Sequence, residues 1–371
     1  MKYKSDWPEA QRRLTALWHR ERLDRPCMSV LAPQPVEDAT VVPEPKDDEA
    51  RWLDPDYIVP LARRQLETTW WGGEAVPSTL LLACWVMCLG GTPHFGPDTI
   101  WFETQQVDFD APSPFRHDTS NIWIRKYRAL LLAVCKEAGC NDFLVSTSAG
   151  LPPNDLISML MGTHAFMLAL ADHPEWMAEA ILTGAHDKLT VLRQGQSLIR
   201  EAGHKFWYGN AGWMAFWAPE PFISTQSDCS CMLSPEMFDH FVVPELDLYG
   251  RQHNALWYHL DGGDARHHLP RLLTLPYLRV VQYVPAPVEP DNGPGHMEMY
   301  KQIQAAGRIV HVEVPRQNVE PLVRELDPAL LMLQTTCPTR EEGERLLEQS
   351  VAWSRNAPSA NRRGANYDNT P

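Results

Sequence analysis

The chain has 371 residues, 44% of them hydrophobic and 14 of them tryptophan, so it can bury a large core and is not a disordered segment. Its formal net charge of −14 comes without a basic stripe, which argues against nucleic acid as a partner. The most apolar run, residues 78–91, is too short to span a bilayer, the charged opening carries no secretory h-region, and eight cysteines do not suggest a disulfide framework; a cytoplasmic protein with no membrane partner is expected.

The first 25 residues read as a helix, with Leu14, Leu17 and Leu23 on its apolar repeat. "CMSVLAP" (27–33) reads as a short buried strand cut off by proline. "DYIVPLARRQLETTWWGG" and "TLLLACWVMCLGG" read as helices closed by glycine pairs. "DTIWFETQQVDFD" alternates and predicts a strand pair or an excursion. A helix ending at Gly139 precedes a strand at "DFLVSTS" (142–148), and helices then fill residues 155–194. Ser234 is a candidate N-cap before Pro235. From there "ALWYHLDG", "LRVVQYVP", "RIVHVEVP" and "LLMLQTTCP" alternate with three short helix-like segments. Such repeats, without a glycine-rich phosphate loop, favour a parallel α/β barrel over a doubly wound sheet. Residues 1–355 are expected as one domain and 356–371 as a polar tail.

In such a barrel the residues just past each strand line the catalytic mouth. That places His259, Asp261, Tyr283, Glu313 and Cys337 there. His259 and Asp261 stand two apart on one strand and share a face, so they can converge on one metal ion. Cys337 adds a sulfur from the last strand, giving three ligands in the manner of a catalytic zinc site. The plain alternative is a hydrogen-bonded histidine, a turn aspartate and a buried thiol. In "STQSDCSCMLSPEMF", Asp228 is the favoured catalytic polar group, with helix capping as its alternative. Cys229-x-Cys231 could bind a metal but lacks a second pair. Glu74 lies beside the aromatic "WWGGEAVPS", while Asn154 and Asp155 precede a helix. These three join Tyr283 and Glu313 as candidate substrate contacts. "FWYGNAGWMAFW" (206–217) is either a platform for a flat ligand or packing.

"LPPNDLISMLMGTHAFMLALADHPEWM", "SDCSCMLSPEMFDHFVVPEL", "YHLDGGDARHHLPRLLTLPYLRVVQYVP" and "TTCPTREEGERLLEQ" resemble the uroporphyrinogen decarboxylase superfamily, closest to its cobalamin-dependent methyltransferase branch. The resemblance covers about residues 20–355 and implies a (β/α)8 TIM barrel with extra N-terminal helices, consistent with the strand–helix pattern. The decarboxylases use an arginine-rich motif after the first strand, which "CMSVLAPQP" lacks. The methyltransferases hold zinc through a His-x-Cys pair and a later Cys. The resemblance matches His259 and Cys337 to two of these ligands and puts Asp261 in place of the first Cys. A carboxylate for a thiolate makes the metal a harder Lewis acid, suited to an oxygen or nitrogen ligand.

The resemblance therefore implies a corrinoid-dependent methyltransferase or demethylase, moving a methyl group from a small O- or N-methylated compound to a corrinoid. The corrinoid would belong to a partner protein, since the chain has no D-x-H-x-x-G motif. A homodimer is left open. The alternative is a metal-independent decarboxylase, a lyase using Asp228, Asp261 and His259 as acid and base.

Overall fold

The computed structural model describes residues 1–79, 89–118, 120–147, 151–204 and 214–359, and shows a mixed α/β protein. Contacts divide it into two compact units. One comprises Met1–Ser5, Pro35–Thr68 and Val76–Asn254; the other comprises Asp6–Gln34, Thr69–Ala75 and the chain from Ala255 onward.

Helix α1 (Trp7–Trp18) buries Leu14 and Leu17 as their spacing predicts. It stops short of Leu23, because Arg20 turns left-handed at φ +60°. Strand β1 (Cys27–Pro33) coincides with the predicted run. Helices α2 (Asp48–Leu53) and α3 (Pro55–Glu67) are capped by the side chains of Asp47 and Asp54. The "TWWGG" that the sequence assigns to a helix end is instead strand β2 (Thr69–Gly73), antiparallel to β1. Threonine and the aromatics suit a pleated surface, and pairing with β1 overrides the helical reading.

Strand β4 (Ile100–Phe102) falls in the alternating stretch, but its antiparallel partner is β3 (Pro93–Phe95), upstream of it, and among the described residues no second strand forms within 98–110. Helix α4 (Ile122–Glu137) ends just before Gly139, φ +49°. The strand expected at 142–148 reduces, among the described residues, to a single bridge between Leu144 and Ser78. Phe143, Leu144 and Val145 are all buried, so this apolar run plugs a core without building a ladder. Helices α5 (Pro153–Met161), α6 (Thr163–Asp172) and α7 (Pro174–Glu201) follow, then strand β5 (Ile223–Thr225). Ser234 caps α8 (Pro235–Phe241), its hydroxyl accepting from Met237 N, and α9 (Val243–His253) closes this part of the chain. The helix expected at 79–91 and much of the 206–217 aromatic stretch lie outside the described residues.

The strand–helix rhythm then appears as read: β6 (Leu256–Asp261), α10 (Leu269–Leu273), β7 (Leu278–Val284), α11 (Met297–Ala305), β8 (Ile309–Glu313), α12 (Val319–Glu325), β9 (Leu331–Thr336) and α13 (Arg340–Ser354). Within the second unit the strands lie in the order β2-β1-β9-β8-β7-β6, and every pairing but β2–β1 is parallel. Among the described residues, no helix is long and apolar enough to cross a membrane.

Glu74 anchors one edge of this sheet, which corrects its reading as a substrate contact. It is 1% exposed. Its Oε1 lies 2.9 Å from Arg13 Nε and accepts from Arg25, while its Oε2 accepts from Arg25 at 2.7 Å and from Met28 N at 2.7 Å. Both oxygens are committed to α1, β1 and the segment between them. Gly73 precedes it at φ +59°, and a Cβ there would stand 2.3 Å from Met28 O. Removing one charge from a buried set strands the others. Glu74→Gln is therefore expected to lower the unfolding free energy by about 3–5 kcal/mol in urea titration. A loss below about 1 kcal/mol would contradict the clasp.

Candidate functional site

Strand β6 is buried over five residues and emerges at Asp261. Alternation puts Trp257, His259 and Asp261 on one face. The parallel register then sets His259 beside Gln282 on β7, and Gln282 beside His311 on β8. These three side chains stand abreast on the same face of the sheet. His259 Nε2 lies 3.9 Å from Asp261 Oδ1. His259 Nδ1 is hydrogen-bonded to Gln282 Oε1. The Gln282 Nε2 donates to Tyr283 O at 3.0 Å. Sequence reasoning passed over Gln282, although a fully buried amide in a run of valines must find partners, and that is the signal it offered.

The two glycines after Asp261 have a local cause. Gly262 adopts φ +71° and donates its N–H to Val284 O at 2.8 Å, tying the exit of β6 to the end of β7. A Cβ on Gly263 would stand 2.7 Å from Glu289 Oε1. That carboxylate accepts from the Tyr283 hydroxyl (2.9 Å) and Ala286 N (2.9 Å), and pairs with Arg266 at 2.8 Å. Burial would raise the Glu289 carboxyl, but these donors and the guanidinium hold it below its ordinary value. Asp261 thus leaves the sheet on a braced turn, with 46% of its side chain exposed.

Two residues placed in the mouth by sequence are not brought together with His259 and Asp261. Tyr283 alternates with Gln282 and points the other way, where it meets His296 edge-on at 5.1 Å. Burial and its bond to Glu289 push the phenol up. Its role is bracing, which corrects the reading as a substrate contact. The Cys337 N–H donates to Leu31 O at 2.7 Å, continuing the β1–β9 ladder past Thr336. Cys337 lies just past the end of β9, is buried, and burial raises its thiol. Among the described residues, the side chains close enough together to hold an ion include His259 and Asp261 but not Cys337, the third ligand expected from the sequence. Glu313, exposed at the end of β8, does share the face of His311, two residues before it.

The remaining candidates belong to the first unit. Asp155 is buried, its Oδ2 accepting from Asp228 N (3.0 Å) and its Oδ1 from Cys229 N (2.9 Å). It pins the short turn Asp228–Met232. Burial raises its carboxyl and the two amides pull it back, leaving it above its ordinary value. Asn154, 1% exposed, donates to Glu245 Oε2 at 3.4 Å. Glu245 is pushed up to about 8 by burial, against the influence of Lys188 and Tyr249. Asn154 and Asp155 thus hold helices and turns together, which corrects their assignment to substrate. Asp228 is half-buried, its Oδ2 accepting from Gln226 Nε2 at 2.6 Å. Of the nearby Cys229 and Cys231, the first is buried and the second exposed.

No family model matches the chain, and no curated protein matches it. Among solved structures it is similar to a methyltransferase from Methanosarcina mazei. The two share 15% identity and a TM-score of 0.57, over 92% of this chain and 98% of that chain. At this identity the likeness bears on the fold.

His311 supplies a test of the buried row. It is fully buried, its Nδ1 accepts from Trp257 Nε1 at 3.1 Å, and burial lowers its pKa to about 3. Below the ordinary histidine pKa the unfolded chain takes up a proton that the fold refuses, so stability falls as pH drops from 6.5 toward 3. His311→Gln is expected to remove about 1.4 kcal/mol per pH unit of that slope, read by urea titration from pH 7 to pH 4. Parallel slopes in the two proteins would refute a buried neutral imidazole.

Proposed function

We propose that this chain is a methyltransferase that takes a methyl group from a small O- or N-methylated compound and passes it to a corrinoid held by a partner protein. The fold that goes with this reading is a (β/α)8 barrel over residues 1–355. The observation that carries it is the His259–Asp261 pair, with Nε2 and Oδ1 3.9 Å apart at the C-terminal end of a parallel strand. Such strand ends are where parallel α/β enzymes gather their reactive groups. The likeness to the Methanosarcina mazei methyltransferase supports the reaction class.

The donor chemistry of the pair fits a divalent ion of zinc-like hardness, since it offers one imidazole nitrogen and one carboxylate oxygen. The imidazole is also held through its other nitrogen by a buried amide, the usual outer support of a ligating histidine. When bound, the metal would supply a Lewis acid for the heteroatom carrying the methyl group, and the corrinoid the acceptor for it. His259 would hold the ion from a rigid strand. Asp261 would add a negative charge on the braced turn, and Glu313 a polar contact for the substrate at the neighbouring strand exit. Asp228 keeps its proposed catalytic role as a separate expectation, namely that Asp228→Asn slows turnover.

The test is elemental mass spectrometry of the purified protein beside His259→Ala, Asp261→Asn and Cys337→Ser. Near-stoichiometric zinc in the wild type, lost in His259→Ala, weakened in Asp261→Asn and kept in Cys337→Ser, is the expected result. Methylation of reduced cobalamin by methylated ethers and amines should fail in His259→Ala. A wild type that takes up no zinc when zinc is offered overturns this reading and favours a metal-free lyase.

A further inference from the structure

The buried amide of Gln282 has one orientation open to it. Its Nε2 is committed to the Tyr283 carbonyl at 3.0 Å, so the atom facing His259 Nδ1 is Oε1, which can only accept. An accepting oxygen opposite Nδ1 requires the proton to sit on Nδ1. The basic lone pair of the ring is then on Nε2, the nitrogen turned toward Asp261 Oδ1. Three facts make this arrangement rigid. Gln282 is 0% exposed, it lies in register between His259 and His311, and its own backbone is held by strands on both sides. His311 Nδ1 accepts from Trp257 Nε1, so that nitrogen makes no demand on the amide.

We propose that Gln282 is a positioning residue for the site. By accepting from Nδ1 it selects the tautomer of His259 that presents Nε2 to a ligand on the Asp261 side. The proposal deepens the functional reading and rests on it for its consequence in metal binding, while the tautomer itself can be read without any metal. An isosteric side chain with no strong acceptor frees the ring to hold its proton on either nitrogen. The fraction with Nε2 available falls, and zinc affinity falls with it.

The experiment uses full-length protein with 15N-labelled histidine imidazoles. The His259 signals are assigned by their absence in His259→Gln. In metal-free wild type at pH 8, His259 is expected to show a protonated Nδ1 and a bare Nε2. Gln282→Met should shift the pair toward Nε2–H and weaken zinc binding, read by competition with a chromogenic chelator, by ~10- to 100-fold. Gln282→Glu restores an acceptor and should restore the Nδ1 proton, which a merely structural role for the amide does not require. Circular dichroism confirms that each variant is folded, and if Gln282→Met is not, the wild type and Gln282→Glu decide. An Nε2–H ring in the wild type, or in Gln282→Glu, overturns the proposal, as does an unchanged tautomer in folded Gln282→Met. A wild type that shows the Nδ1 proton but binds no zinc supports the positioning role and overturns only the metal reading.

Discussion

The parallel register of β6, β7 and β8 is the constraint on which the site depends. Side chains on a strand alternate with period two, and paired residues in a parallel ladder face the same way. Setting Gln282 between His259 and His311 therefore selects one face for a nitrogen base, its amide partner and a second buried imidazole. A slip of one residue in β7 would bring Tyr283 to that face and hide Gln282. The Gly262 bond to Val284 O pins the two strands at the end where such a slip would be felt.

The buried acidic side chains away from this row serve the fold. Glu74 is enclosed by two guanidinium groups and a backbone amide, and Asp155 by two backbone amides of one short turn. A carboxylate offers about four acceptor sites, so one buried acid can tie together several segments that have little else in common. The cost is desolvation, which explains why burial pushes Asp155 and Glu245 up.

Much of the architecture was legible in the sequence, and the site only in part. The strands from β6 to β9 announce themselves as short β-rich runs between helical segments, and β1 as an apolar run closed by proline. His259 and Asp261 were legible because residues two apart on a strand converge. Cys337 is not brought together with that pair, and nearness to a strand end, all that the sequence offered for it, says nothing about where a side chain points. Glu74, Asn154 and Asp155 were misread because a polar residue near a turn looks the same whether its partner is a ligand or a distant arginine or amide. The helical reading of "TWWGG" failed for a related reason, since pairing with β1 is a non-local event that no local window contains.

The sheet order carries a consequence for how the chain is made. Strand β1 has β2 on one side and β9 on the other. Its partner β2 is complete once residue 73 has been synthesised, and the Glu74 clasp can close around the pair as soon as the next residue is added. The other edge of β1 stays open until Leu331–Thr336 leaves the ribosome. Between those two events the nascent protein carries a hydrophobic strand with a bare row of amides and carbonyls on one edge, a template for mispairing. Completion of the β1 pairing waits for β9, about 300 residues downstream, and chaperone demand should track that interval.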